Sequence, residues 1–155
     1  MMNINEASKL LNTLLAQTDK KSEKKVYICF IQTLSSLNNK DLTEDQSQLI
    51  QEKLSSLNLN VVTENRKKFY KQKLSEFKAF LKKEFSFTSA KYYTETWMVY
   101  GMIFGTGIGM SIGTAIGAGL GTSIGLSIGT GIGMAFGIIL GAKKDAKAKR
   151  QGRVI

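Results

Sequence analysis

From Gly101 to Gly141 every fourth residue is glycine: Gly101, Gly105, Gly109, Gly113, Gly117, Gly121, Gly125, Gly129, Gly133, Gly137 and Gly141. The stretch through Ala142 holds no Asp, Glu, Lys, Arg, Pro or Asn. Regularly spaced glycine serves either to turn a chain or to let two backbones approach closely. Without the companion turn formers Pro, Asn and Asp, close approach is the job that remains.

On a helix each residue advances about 100°, so a period of four sorts the stretch into stripes. Glycine makes one. Met102, Thr106, Met110, Thr114, Thr122, Leu126, Thr130 and Met134 make the next. The third is small again: Gly107, Ser111, Ala115, Gly119, Ser123, Ser127, Gly131 and Ala135. The fourth is bulky: Phe104, Ile108, Ile112, Ile116, Leu120, Ile124, Ile128, Ile132, Phe136 and Leu140. Two small stripes on opposite sides let a helix take a close neighbour on each side. Small residues at this spacing drive helix association in bilayers, where no hydrophobic effect acts between helices. In water each glycine costs about 1 kcal/mol relative to alanine. In a bilayer the backbone must bond internally, which offsets that penalty. A period longer than 3.6 also favours right-handed crossing.

One helix over the whole stretch would run about 60 Å, twice the roughly 30 Å hydrocarbon core. Two helices of about 18 residues, bent near Gly117–Ser123, match a bilayer. Basic residues flank the stretch on both sides, which calls for an even number of spans with both termini cytoplasmic. "TGIGMSIG" from Thr106 is echoed by "TGIGMAFG" from Thr130, giving the two arms similar material.

The glycines of this stretch are also all odd-numbered, so a strand with one bare face and one bulky face is the alternative, as in stacked sheets. A membrane β-hairpin pore would need a polar lumen face, and that face here is glycine. No Asn-Gly or Asp-Gly turn is present. A dinucleotide fingerprint needs glycines at n, n+2 and n+5, which reverses parity and cannot occur here. "GIILGAKK" lacks the spacing and the Ser or Thr of a phosphate-binding loop.

Gly101-x-x-x-Gly105-x-x-x-Gly109, continued to Gly141, resembles the glycine-zipper membrane proteins. The likeness covers about a quarter of the chain, with eleven glycines in register. The resemblance implies homo-oligomeric membrane helices, among them channels and pore-forming proteins.

Charge supports a lipid partner. The net charge of +10 splits into sixteen basic against eleven acidic residues over 1–100, and six against one over 143–155. Basic groups flanking an apolar segment suit anionic lipid better than nucleic acid, which is not expected as a partner. Aromatic residues crowd the entry to the stretch: Phe85, Phe87, Tyr92, Tyr93, Trp97 and Tyr100. Tyr93, Trp97 and Tyr100, with Lys143 and Lys144, are the candidate membrane-interface residues. The chain has no His and a single Cys29, so neither a zinc cluster nor a His-based triad can be built. Enzymatic activity, a cofactor and a metal are not expected. Cys29 lies among apolar neighbours in "VYICFIQTL" and reads as core. The start, "MMNINEASKL", has no apolar signal-peptide core, so residues 1–100 are expected in the cytosol.

Residues 1–90 read as a small bundle of four helices. "NEASKLLNTLLAQ" places Ala7, Leu10, Leu11, Leu14 and Leu15 on one face. A second helix spans 22–37. Thr43 with Gln46 is a capping box for a third carrying Leu49, Ile50, Leu54 and Leu57. Thr63 is expected to cap the fourth and longest, with Tyr70, Leu74, Phe77, Leu81 and Phe85 on its apolar side. Its lysines, notably Lys67, Lys68, Lys71, Lys78 and Lys82, are candidate lipid-surface residues, with a solvated face of the bundle as the plainer account.

The sequence therefore predicts an all-α chain. A cytosolic bundle (1–90) leads through an aromatic interfacial linker (91–100) to a glycine-zipper transmembrane hairpin (101–142) and a basic cytosolic tail (143–155). The functional expectation is a homo-oligomer that forms a pore or perturbs the membrane. The alternative is a non-conducting anchor or scaffold whose bundle binds a cytosolic protein partner.

Overall fold

The computed structural model describes residues 2–61, 63–117 and 119–155, without the side chain of Leu120. The chain is all-α, with helices α1 (Ile4–Gln17), α2 (Lys21–Asn38), α3 (Glu44–Ser56), α4 (Arg66–Phe85), α5 (Tyr92–Ile116) and α6 (Leu120–Arg150). Among the described residues there is no strand, only an isolated bridge between Thr88 and Val154. The stacked-strand alternative for 101–141 is thereby overturned, because backbone hydrogen bonds there run along each helix. The chain divides into two compact units, Met1–Phe87 with Ile155, and Thr88–Val154.

The first unit is the bundle. Asn3 and Glu6 form a capping box at the start of α1, and Thr43 and Gln46 form the expected one at α3. The core takes Ala7 and Leu11 from α1, Tyr27, Phe30, Leu34 and Leu37 from α2, and Ile50 and Leu54 from α3. Leu57 and Leu59 add to it just beyond α3, and Tyr70, Leu74, Phe77 and Leu81 come from α4. Phe30 and Phe77 meet with their rings tilted by 34° at 5.8 Å, while Tyr27 meets Tyr70 edge-on at 5.1 Å. Leu10, Leu14, Leu15 and Phe85 pack at the margin of this core, as does Cys29.

Two expectations fail here. Leu49 is 44% exposed rather than core, because Ile50 and Leu54 already fill the inward face of this short helix. Thr63 does not cap α4; Asn65 does, accepting a hydrogen bond from the Lys68 amide at 3.2 Å. A cap at Thr63 would place Arg66 at its third helical position, where no side-chain acceptor returns the bond. Asn65 also stands directly before the long basic run and is at least as good a cap former.

The second unit is a helical hairpin of α5 and α6. The bend takes Gly117 and Gly119; Ala118 of the predicted bend lies outside the described residues. Gly119 has φ +93° and ψ −97°, a conformation closed to residues with a Cβ. The aromatic segment is helical from Tyr92, and α6 continues unbroken into the basic tail as far as Arg150. Gly152, at φ +66°, ends α6, with the Arg153 amide bonded back to the Ala148 carbonyl at 2.9 Å.

Candidate functional site

The hairpin is where chemistry and shape concentrate. α5 (25 residues, mean hydropathy 1.4) and the 30 residues Gly121–Arg150 of α6 (1.8) are long and apolar enough to cross a membrane. Only 11% of the most apolar window on each is buried. A core helix of a water-soluble protein hides its apolar face, whereas Phe104 is 69% and Ile116 78% exposed.

Glycine faces glycine across the hairpin. A Cβ added to Gly101 would overlap the Gly133 carbonyl, one on Gly105 that of Gly129, one on Gly109 that of Gly125, and one on Gly113 that of Gly121. Each step of four toward the bend on α5 is met by a step of four toward it on α6, the register of an antiparallel pair. Beyond these pairs, Gly137 lies against the Trp97 carbonyl and Gly141 against Thr94. Ten of the eleven predicted packing glycines thus lie between the two helices of one chain. Gly117, at the bend, has nothing within 4 Å of its would-be Cβ.

The other stripes follow from that contact. The second small stripe points outward: Gly107 and Gly131 face open space, and Ser111, Ala115, Ser123, Ser127 and Ala135 are exposed. The hydroxyls are satisfied locally. Ser111 donates to the Gly107 carbonyl (2.9 Å), Ser127 to that of Ser123 (3.0 Å) and Thr114 to that of Met110 (3.1 Å). Thr106 and Thr130, which open the two echoed segments, meet Oγ1 to Oγ1 at 2.8 Å. Thr130 donates its own proton to the Leu126 carbonyl (2.7 Å), so Thr106 is the donor between them.

At the end away from the bend, Lys144 holds its Nζ 4.4 Å over the Trp97 ring, and Trp97 meets Tyr100 edge-on. Lys143 is exposed one residue before, and Tyr93 lies half-buried in the first turn of α5. Sequence reasoning missed Asp145. Its Oδ1 accepts from the Tyr93 amide (3.0 Å), and its Oδ2 accepts from the Thr94 amide (2.8 Å) and the Thr94 hydroxyl (2.6 Å). These are the second and third amides of α5, which has no side-chain cap of its own. A carboxylate from α6 therefore caps α5 from across the hairpin. The only sequence signal was a single acid among six basic residues in 143–155.

The remaining candidates lie in the bundle. Phe85 and Phe87 belong to its core margin. Lys67, Lys68, Lys71 and Lys82 are exposed on α4, while Lys78 is half-buried with its Nζ 3.4 Å from Cys29 Sγ. The apolar side of α4 is occupied by the core, so in the folded bundle it has no apolar stripe free for lipid. Glu76 takes Lys53 and Lys73 as partners, and the hydrogen bond from Lys53 does most to hold its carboxyl below the ordinary range. Comparison with family models, curated proteins and solved structures finds no match to this chain.

Proposed function

We propose that this chain is an integral membrane protein. It inserts through α5 and α6 as a hairpin and self-associates into a pore or other membrane-perturbing oligomer. The observation that carries the reading is the outward small stripe on both helices, open at Gly107 and Gly131. With the glycine stripe engaged inside the hairpin, each hairpin still offers one smooth flank on α5 and one on α6. Two flanks per protomer are what closing a ring requires. Full insertion is favoured over shallow burial because the bend leaves helix-end amides and carbonyls without side-chain caps, and these must reach water. The basic flanks on both sides favour a topology with both termini on the cytoplasmic side.

A second reading is a non-conducting anchor that displays the bundle to a partner protein. The locally bonded hydroxyls favour it, since they leave few polar groups to line a water path. Flotation and dye release from anionic vesicles separate the two, using wild type beside Gly107→Leu/Gly131→Leu. The substitutions meet open space within the protomer, so the hairpin is expected to survive. Leakage by wild type that is lost in the variant supports the oligomer. Tight vesicles carrying inserted wild type support the anchor.

A further inference from the structure

One face of the hairpin is a furrow of about 920 Å³. Its floor is the glycine backbone, and its walls are the bulky stripes of both helices, among them Phe104, Ile108 and Ile112 on α5 and Ile128 and Phe136 on α6. Antiparallel helices that meet through one stripe turn their next stripes to the same side, so two lines of large residues flank a bare strip. The α5 wall from Trp97 to Ile116 runs about 30 Å, the thickness of the hydrocarbon core. One leaflet's acyl chain covers about half of that length.

The wall on α6 does not end in an apolar residue. Ile124, Ile128, Ile132, Phe136 and Leu140 continue at the same spacing to Lys144, whose ammonium sits over Trp97 at the furrow's mouth. Lys143 and Lys147 share that end of α6 and are exposed. Of the two nearby carboxylates, Asp145 is engaged with the α5 amides, and Glu95 stands exposed in the first turn of α5. A second copy of the chain fits the furrow poorly. Its matching face is a furrow too, and two furrows set face to face enclose a void that close-packed interfaces do not keep.

We propose that the furrow is a binding site for an anionic phospholipid of the leaflet at its open end. One acyl chain lies on the glycine floor between the Ile and Phe walls, and the lipid phosphate meets Lys144 beside Trp97. The site rests on the membrane reading. It adds a selectivity that insertion alone does not require, because insertion needs hydrocarbon and this site needs a negative headgroup joined to it.

Trp97 is the sole tryptophan and lines the mouth, so its fluorescence reads the site directly. Full-length protein is reconstituted into phosphatidylcholine vesicles in which a fixed fraction is phosphatidylglycerol. Bromine is carried near the headgroup end of the acyl chains, on one lipid or the other. The expected result is severalfold stronger quenching per brominated lipid for phosphatidylglycerol. Lys144→Gln should bring the two lipids close to parity, and Ile108→Phe/Leu140→Phe, which narrows the open half of the furrow, should weaken the preference with Lys144 intact. Soluble glycerol phosphate in excess should leave the quenching unchanged. Equal quenching by both lipids in protein that floats with the vesicles overturns the site and leaves the membrane reading standing. A preference untouched by Lys144→Gln, or abolished by glycerol phosphate, also overturns it. Protein that does not float overturns both.

Discussion

The bundle and the hairpin pack helices in opposite ways. In the bundle the contact is made by large side chains: Phe30 on Phe77, Tyr27 on Tyr70, and a shell of leucines. In the hairpin it is made by residues with no side chain, and the large ones point away from it. In water the gain comes from removing apolar surface, so helices keep their distance and fill the gap with it. Where the surroundings are apolar that gain vanishes, and the gain left to take is close backbone contact.

This contrast can be tested with two native reporters, because Cys29 lies only in the bundle and Trp97 only in the hairpin. The largest effect is expected from Phe77→Ala, which opens a cavity in the bundle and should destabilise it by about 3–5 kcal/mol. Urea unfolding followed by thiol labelling of Cys29 measures this, and Trp97 emission should not change. Gly109→Ala should then cost the hairpin about 1–3 kcal/mol, since its Cβ would overlap the Gly125 carbonyl. Gly107→Ala, two residues away and facing open space, should be neutral or slightly stabilising, and a detergent titration followed by Trp97 emission measures both variants. Equal costs at Gly107 and Gly109 would break the comparison. Asp145→Ala removes the cap on α5 and should cost about 1 kcal/mol, with amide exchange rising at Tyr93 and Thr94.

The smallest loss of stability belongs to Glu76. Its carboxyl titrates lower in the folded than in the unfolded chain, chiefly through the hydrogen bond from Lys53. The stability it adds is therefore complete above the ordinary carboxylate range and is lost as pH falls through the lowered folded value. With the Glu76 side chain 41% exposed, this pair should contribute no more than about 0.5 kcal/mol. Bundle melting of wild type and Glu76→Gln should differ at neutral pH and converge in acid.

Much of this architecture was legible because it is periodic. The apolar spacing gave the four bundle helices, and Thr43 with Gln46 gave one boundary outright. The glycine stripe gave a hairpin and the place of its bend. What stayed hidden was aperiodic or non-local. A repeat of four says that a backbone comes close, not whether it belongs to the same chain, and ten of the glycines find theirs within it. Thr63 and Asn65 are both good caps two residues apart, and only the actual start of α4 decides between them. Asp145 reads in sequence as one charge in a tail, yet its partners lie more than fifty residues upstream.

That distant bond has a consequence for alignment. A strict repeat is indifferent to sliding one helix past the other by four residues, about 6 Å, since every glycine would meet another glycine. Contact energy along the stripe cannot choose among such positions. The choice falls to the few features that occur once: the short bend, the Thr106–Thr130 pair, and Asp145 on the first turn of α5. Asp145 acts as one index pin of three, and a chain without it would keep its adhesion while its count of turns rested on the bend and the threonine pair alone.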